Sequence, residues 1–179
     1  MKVFLLFTFF RLLSSPPDSL YAISFETFNG NAVSMSAFKG HSVVIVVLDN
    51  KKSDIKYLAT VDSVVKKSLS SATVLLVPAA DLHTDSTKDA DEIKDSEQML
   101  SGKKIMITKE MNVKKKSGEK QHPLFQWLTN AKLNGHFDND VVSNGQMYMI
   151  NEMGILFGVH EVQISGKIIS QAVTQKLKE

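Results

Sequence analysis

The first residues whose types and position could support chemistry lie in a loop after an apolar run, Val43–Leu48. An amphipathic stretch begins at Asp54, so Lys51, Lys52 and Ser53 stand between a predicted strand and a predicted helix start. A reactive cysteine often occupies such a position, because a thiolate is stabilised at the N-terminus of a helix. This chain has no cysteine. Disulfides, thiolate metal ligands and mechanisms with a cysteine nucleophile are therefore excluded.

The five histidines do not form a metal-binding pattern. None of them has a histidine four residues away, and a zinc site needs three or four convergent ligands. The nearest set is His83 with Asp81 and Asp85, which reads more simply as a solvated polar loop. Neither a Gly-rich phosphate loop nor a G-x-S-x-G motif is present. The sequence thus predicts no metal and no cofactor.

The composition indicates one compact domain. The chain has 179 residues, of which 43% are hydrophobic and 22% charged, and this is enough to bury a core. A formal charge of +2 is too small to indicate nucleic-acid binding. The basic run Val113–Lys120 could touch an anionic surface, but it is more simply a solvated loop.

The first 22 residues resemble a secretory signal peptide. Lys2 precedes an apolar run from Val3 to Phe10, and Ala22 could end a cleavable segment. Because the run is too short to span a bilayer as a helix, no stable membrane span is expected. We expect export to a periplasmic or extracellular location, with a cytoplasmic location as the alternative. Residues 23–179 then form a single domain.

Strand and helix signals alternate along that domain. Asn29-Gly30 lies between two short alternating runs and predicts a β-hairpin, and the apolar runs Ser42–Leu48 and Thr73–Val77 predict buried strands. Pro78 ends the second run, because proline cannot donate to a central ladder. An apolar stripe predicts a helix from Asp54 to about Ser68, and a shorter helix is expected over residues 90–100.

The second half predicts a strand, a helix, a hairpin and a last helix. The strand covers Ile105–Ile107, and a helix begins at Pro123 and runs to about Lys132. The segments 146–150 and 155–159 flank the turn sequence NEMG and predict an antiparallel hairpin, whose methionines fill the core with some end residues exposed. A final helix is expected over residues 167–177. This order predicts an α/β fold with a central mixed sheet and helices on both faces.

Four blocks of sequence resemble the glutathione peroxidase family, a branch of the thioredoxin-like fold. They are FETFNGNAVSMSAFKGHSVVIVV, VLLVPAADL, HPLFQWL and SNGQMYMINEMGILFGVH, which occur in the family's order and close to its spacing. The resemblance covers nearly all of residues 24–178. It implies a thioredoxin-like α/β domain that begins with a β-hairpin.

The resemblance also implies where a peroxidase would hold its catalytic tetrad. The family's cysteine or selenocysteine aligns with Lys52, within one residue, its glutamine with Asp81 and its tryptophan with Ser143; only its asparagine is kept, as Asn144. None of the first three can perform the family's role, since lysine forms no sulfenic acid and a carboxylate donates no hydrogen bond. Ala79 stands where some relatives carry a resolving cysteine.

Two functional hypotheses follow. In the first, the chain has lost peroxidase activity and is a non-catalytic module that binds an unidentified protein or small molecule. In the second, it is a peroxide-reducing oxidoreductase, or another enzyme, that works through a repurposed pocket in which Lys52 and Asp81 face each other. Such a pair more often forms a simple surface salt bridge. The oligomeric state is not predicted by the sequence.

Overall fold

A short antiparallel hairpin lies near the start of the described part of the chain. The computed structural model describes residues 19–48, 72–82 and 105–160. Within them a 3-10 turn, Leu20–Ala22, precedes β1 (Ser24–Glu26), which pairs with β2 (Ala32–Ser34). Gly30, at a φ of 80°, lies in the connecting turn, where the left-handed conformation favours glycine. The predicted hairpin is confirmed, although its strands are shorter than the sequence runs.

A five-stranded mixed sheet forms the centre of the molecule. Its spatial order is β5-β4-β3-β6-β7, and its strands are β3 (Val43–Leu48), β4 (Thr73–Pro78), β5 (Ile105–Ile107), β6 (Met147–Ile150) and β7 (Leu156–His160). β3, β4 and β5 run parallel to one another, whereas β6 is antiparallel to both β3 and β7. The predicted mixed sheet is thus confirmed, and Pro78 is the last residue of β4.

Both faces of this sheet are buried along its central strands, β3, β4 and β6. Along β3 the side chains of Val43, Ile45 and Val47 point into one apolar cluster and those of Val44 and Val46 into a second. This follows from the period of two in a strand, which sends successive side chains to opposite faces. A strand buried on both faces needs a continuous apolar run, and every residue of β3 is buried.

The helical region after residue 122 differs from its prediction. One helix was expected from Pro123 to about Lys132, but the structure has α1 (Pro123–Leu128) and a separate α2 (Ala131–Asn134). The cause is local: the Thr129 hydroxyl donates to the Phe125 carbonyl, and the Asn130 side chain accepts from the Lys132 N–H and starts a new helix. The apolar residues of α1 pack on the first cluster as predicted, and they are Leu124, Phe125, Trp127 and Leu128.

The β6–β7 hairpin is confirmed, and its methionines behave as expected. Met147 and Met149 are buried, whereas Met153 in the turn is 72% exposed. The helices predicted over residues 54–68, 90–100 and 167–177 lie outside the described residues. Among the residues that are described, no helix is long and apolar enough to cross a membrane.

Candidate functional site

Three of the four predicted site positions lie on connections that flank the carboxyl end of β3. On one side, the Ala79 N–H donates to the Leu48 carbonyl at 2.9 Å, and Asp81 follows two residues later. On the other side, the Gly145 N–H donates to the Val47 carbonyl at 2.8 Å, directly after Ser143 and Asn144. The chain is therefore brought together at one edge of the sheet, which we call the carboxyl edge. Lys52 lies outside the described residues.

The Asp81 carboxylate is fully engaged with a distant segment of the chain. Its Oδ1 accepts from the Val113 N–H at 2.9 Å, and its Oδ2 accepts from the Lys114 N–H at 2.9 Å and the Ser117 hydroxyl at 2.6 Å. Burial raises the pKa of Asp81, but the hydrogen bonds from Ser117, Val113, Lys114 and its own N–H outweigh burial, so the pKa lies below its ordinary value. Asp81 is therefore ionised at neutral pH. Its carboxylate binds residues 113–117, which we call the 113–117 segment.

The same segment is bound from the other side of β3. The Lys115 N–H donates to Asp140 Oδ1 at 2.9 Å, and the Lys115 ammonium donates to Asp138 Oδ1 at 3.0 Å. Gln146, the residue before β6, donates from its amide to the Asp140 carbonyl at 3.1 Å. Hydrogen bonds thus run from Asp81 through the segment to the start of β6.

Gln146 is the residue of this edge that the sequence interpretation missed. It is fully buried, its Oε1 accepts from the Val142 N–H at 2.8 Å, and its Nε2 also donates to the Tyr148 hydroxyl at 2.9 Å. In the sequence it looked like the first residue of an apolar strand. A polar residue at a predicted buried position is the sign that could have identified it, because buried amides need hydrogen-bond partners.

Ser143 and Asn144 differ in their surroundings. The Ser143 hydroxyl oxygen is buried and forms no hydrogen bond with the described part of the chain. Asn144 is exposed, and so is Val142, which has 57% of its surface in solvent. A hydroxyl and an amide are thus present at the edge, but neither supplies the aromatic N–H that a tryptophan would.

The described histidines do not form a metal site. Among residues 19–48, 72–82 and 105–160, no three His, Asp or Glu side chains are placed to hold an ion. His122 starts α1 instead: its Nδ1 accepts from the Leu124 N–H at 3.2 Å. Burial lowers the pKa of His122, so the ring is neutral at pH 7. His83, the nearest candidate in the sequence, lies outside the described residues.

A shallow cleft of about 430 Å³ lies between β1 and residues 109–111. Glu26 and Lys109 line it and form an ion pair of 2.7 Å, with side chains that are 52% and 67% exposed. His122 also lines the cleft. None of the predicted site residues belongs to it, so the cleft and the candidate site are separate features.

Comparison with known proteins identifies the fold. No protein-family model and no curated protein matches the chain. Among solved structures, Trgpx in its apo form has a TM-score of 0.65 at 19% identity, covering 90% of this chain and 96% of its own. GPX1 of T. cruzi has a TM-score of 0.61 at 20% identity, covering 89% and 97%.

Thioredoxin-family proteins match as well. The exposed lipoprotein thioredoxin Etrx1 of Streptococcus pneumoniae has a TM-score of 0.55 at 16% identity, covering 86% of this chain and 98% of its own. At such identities the similarity shows the fold only, because proteins that share a fold can differ in function. The chain therefore has the thioredoxin-like fold, and glutathione peroxidase-like proteins are among its structural neighbours.

Proposed function

We propose that this chain is a glutathione peroxidase-like protein without peroxidase activity, and that it acts as a non-catalytic binding module. The observation that carries the proposal is the absence of cysteine from all 179 residues, in a domain whose structural neighbours include a thiol:disulfide interchange protein. A thiol peroxidase needs a thiolate that attacks the peroxide and becomes a sulfenic acid. The lysine or serine of the Lys51–Ser53 loop cannot form that intermediate.

The state of Asp81 supports the same conclusion. A group that assists peroxide cleavage would donate a hydrogen bond toward the reacting atom, whereas an ionised carboxylate only accepts. Both oxygens of Asp81 accept hydrogen bonds from the 113–117 segment. In our proposal this side chain organises the carboxyl edge and takes no part in chemistry.

In the alternative, the chain is a peroxide-reducing oxidoreductase, or another enzyme, that works through a repurposed pocket formed by Lys52 and Asp81. For that pocket to work, the Asp81 carboxylate would have to interact with the Lys52 ammonium group while it also accepts hydrogen bonds from three donors of the 113–117 segment. A carboxylate has acceptor sites for a fourth donor. The bonds already made nevertheless favour a positioning role for Asp81 over acid–base chemistry.

We also propose that the apolar N-terminal segment directs export and that the chain after it forms one domain. Leu20 is buried in the first apolar cluster, so in this proposal the domain includes the turn Leu20–Ala22 and starts before residue 23. The apolar run at the N-terminus supports export. A cysteine-free chain suits an oxidising compartment, where unpaired thiols are readily oxidised. A thioredoxin-fold protein described as an exposed lipoprotein is among the structural neighbours.

The catalytic part of the proposal is tested with the purified full chain, hydrogen peroxide or a lipid hydroperoxide, and glutathione or thioredoxin as reductant. We expect no turnover above the uncatalysed rate. Lys52→Ala and Asp81→Asn are the matched variants. Turnover by the natural chain that either variant abolishes would refute the proposal and support the repurposed pocket.

The binding part is tested by following backbone amide chemical shifts during a titration with reduced glutathione as the first probe. The amides of Ala79 and Gly145 report on the two sides of the carboxyl edge. Shifts confined to this edge would support a binding role there. Unchanged shifts at millimolar glutathione would remove glutathione as the ligand, and shifts confined to the cleft beside Lys109 would place binding elsewhere.

A further inference from the structure

The 113–117 segment connects two parts of the chain that the sheet keeps apart. Asp81 follows β4 and Asp140 precedes β6, and these two strands are the neighbours of β3 on either side. The segment is bound to Asp81 by the N–H groups of residues 113 and 114, and to Asp140 by the N–H of residue 115. It therefore ties both flanking connections together at the carboxyl edge.

The bonds at Asp81 depend on the charge of its carboxyl group. An ionised carboxylate accepts at both oxygens, and charge-assisted hydrogen bonds of this kind are roughly twice as strong as neutral ones. A protonated carboxyl group carries a hydrogen on one oxygen and loses acceptor capacity there. A proton on Oδ1 weakens the bond from the Val113 N–H, and a proton on Oδ2 weakens at least one of the bonds from the Lys114 N–H and the Ser117 hydroxyl.

We propose that Asp81 controls a pH-dependent conformational change. Its ionised carboxylate binds the 113–117 segment to the connection after β4, and protonation of Asp81 releases the segment while the sheet stays folded. The lowered pKa of Asp81 agrees with a carboxylate that these bonds stabilise. The proposal is independent of whether the chain is a peroxidase. It concerns the conformation of the carboxyl edge, not the ligand.

The charges around the segment favour release in acid. The segment and the turn after it carry Lys114, Lys115, Lys116, Glu119 and Lys120. On its other side Asp138 pairs with the Lys115 ammonium and Asp140 accepts the Lys115 N–H. Protonation of Asp81 removes a negative charge beside these four lysines, which weakens the attraction that holds the segment. The bonds of Lys115 to Asp138 and Asp140 remain on the other side, so release is expected first at residues 113 and 114.

The test is amide hydrogen exchange of the full chain by NMR, with rates corrected for the intrinsic effect of pH. At neutral pH, Asp81→Asn should lower the protection of the Val113 and Lys114 amides by about tenfold or more, because it removes a charge-assisted acceptor. Amides of β3 and β4 should keep their protection and so report that the sheet remains folded. Asp138→Asn is the matched control and should leave both segment amides unchanged.

The pH arm follows the same amides in the natural chain as the pH falls below about 4, the ordinary range for an aspartate. We expect protection at residues 113 and 114 to fall before that of β3, and to show no such step in Asp81→Asn. Asp140→Asn, which keeps Asp81, should retain the step. Full protection at residues 113 and 114 in Asp81→Asn, or loss of protection at the same pH in the segment and in β3, would overturn the proposal.

Discussion

The centre of the sheet and its carboxyl edge are stabilised by different interactions. In the centre, β3 and β4 are apolar and buried, and their side chains fill two clusters on opposite faces. At the edge, Asp81 and Asp140 hold backbone N–H groups from residues far away in the sequence, and Gln146 holds the carbonyl of Asp140. Apolar burial is non-directional and tolerates variation, whereas a hydrogen-bond network requires each partner in place. The edge is therefore the part of the molecule that a small chemical change can rearrange.

The largest expected effect comes from the centre. Ile45→Ala removes a fully buried side chain from β3, and we expect the free energy of unfolding to fall by about 2–5 kcal/mol. Urea denaturation measures it. Val142→Ala, at a residue that is 57% exposed, is the control and should stay within about 0.5 kcal/mol. Equal losses in the two variants would contradict the distinction between centre and edge.

A buried polar residue of the edge should have the next largest effect. Gln146→Met keeps the shape of the side chain but leaves the Val142 N–H, the Asp140 carbonyl and the Tyr148 hydroxyl without their amide partner. We expect a loss of about 1–3 kcal/mol in the free energy of unfolding, since unsatisfied buried groups are costly. If calorimetry finds the variant as stable as the natural chain, water must replace these bonds at little cost.

As the pH falls, the N-terminus of α1 should be destabilised at a higher pH than the one at which Asp81 is protonated. The pKa of His122 is lowered in the folded protein from its ordinary 6.5, so the unfolded chain binds this proton more readily. The stabilisation is present above about pH 6.5 and is lost as the pH falls through the lower folded value. We expect urea midpoints to decline in this range, and less so in His122→Asn, which keeps a capping oxygen. Parallel declines in both proteins would rule out His122 as the cause.

The smallest effect is expected at the surface of the edge. Asp138→Asn removes an ion pair with Lys115 in which the aspartate side chain is 69% exposed. Exposed pairs of this kind are screened by solvent and salt. Thermal denaturation at low and high salt should find no resolved change. A clear, salt-dependent loss would show that this pair belongs to the network of the edge.

The sequence predicted the centre better than the edge for a physical reason. Val43–Leu48 and Thr73–Pro78 are continuous apolar runs, and a local pattern of this kind indicates a buried strand without knowledge of its partners. The bond between Asp81 and the Ser117 hydroxyl joins residues that are 36 positions apart, and no periodicity predicts such a pairing. The resemblance placed Asp81 and Asn144 in one site, but it did not indicate what Asp81 binds.

The single long helix expected after Pro123 shows that the position where a helix ends is harder to predict from the sequence than the presence of the helix. Its apolar residues fitted a helical period, and the prediction was right as far as Leu128. The side chains of Thr129 and Asn130 bond to nearby backbone groups and divide it into two helices. Propensity describes the average behaviour of a residue type, whereas these two hydrogen bonds depend on local geometry.

The contact between Tyr21 and Gly154 determines how the domain would be oriented if it were immobilised on a solid surface. A Cβ atom on Gly154 would lie 2.6 Å from the Tyr21 hydroxyl oxygen, so the N-terminal turn lies directly against the β6–β7 turn. That turn follows Ile150, the partner of Val43 at the amino end of β3. A label attached at Ser19 would therefore lie near the amino end of β3, the opposite end of that strand from Asp81. Immobilisation through such a label would present the carboxyl edge outward to a partner in solution.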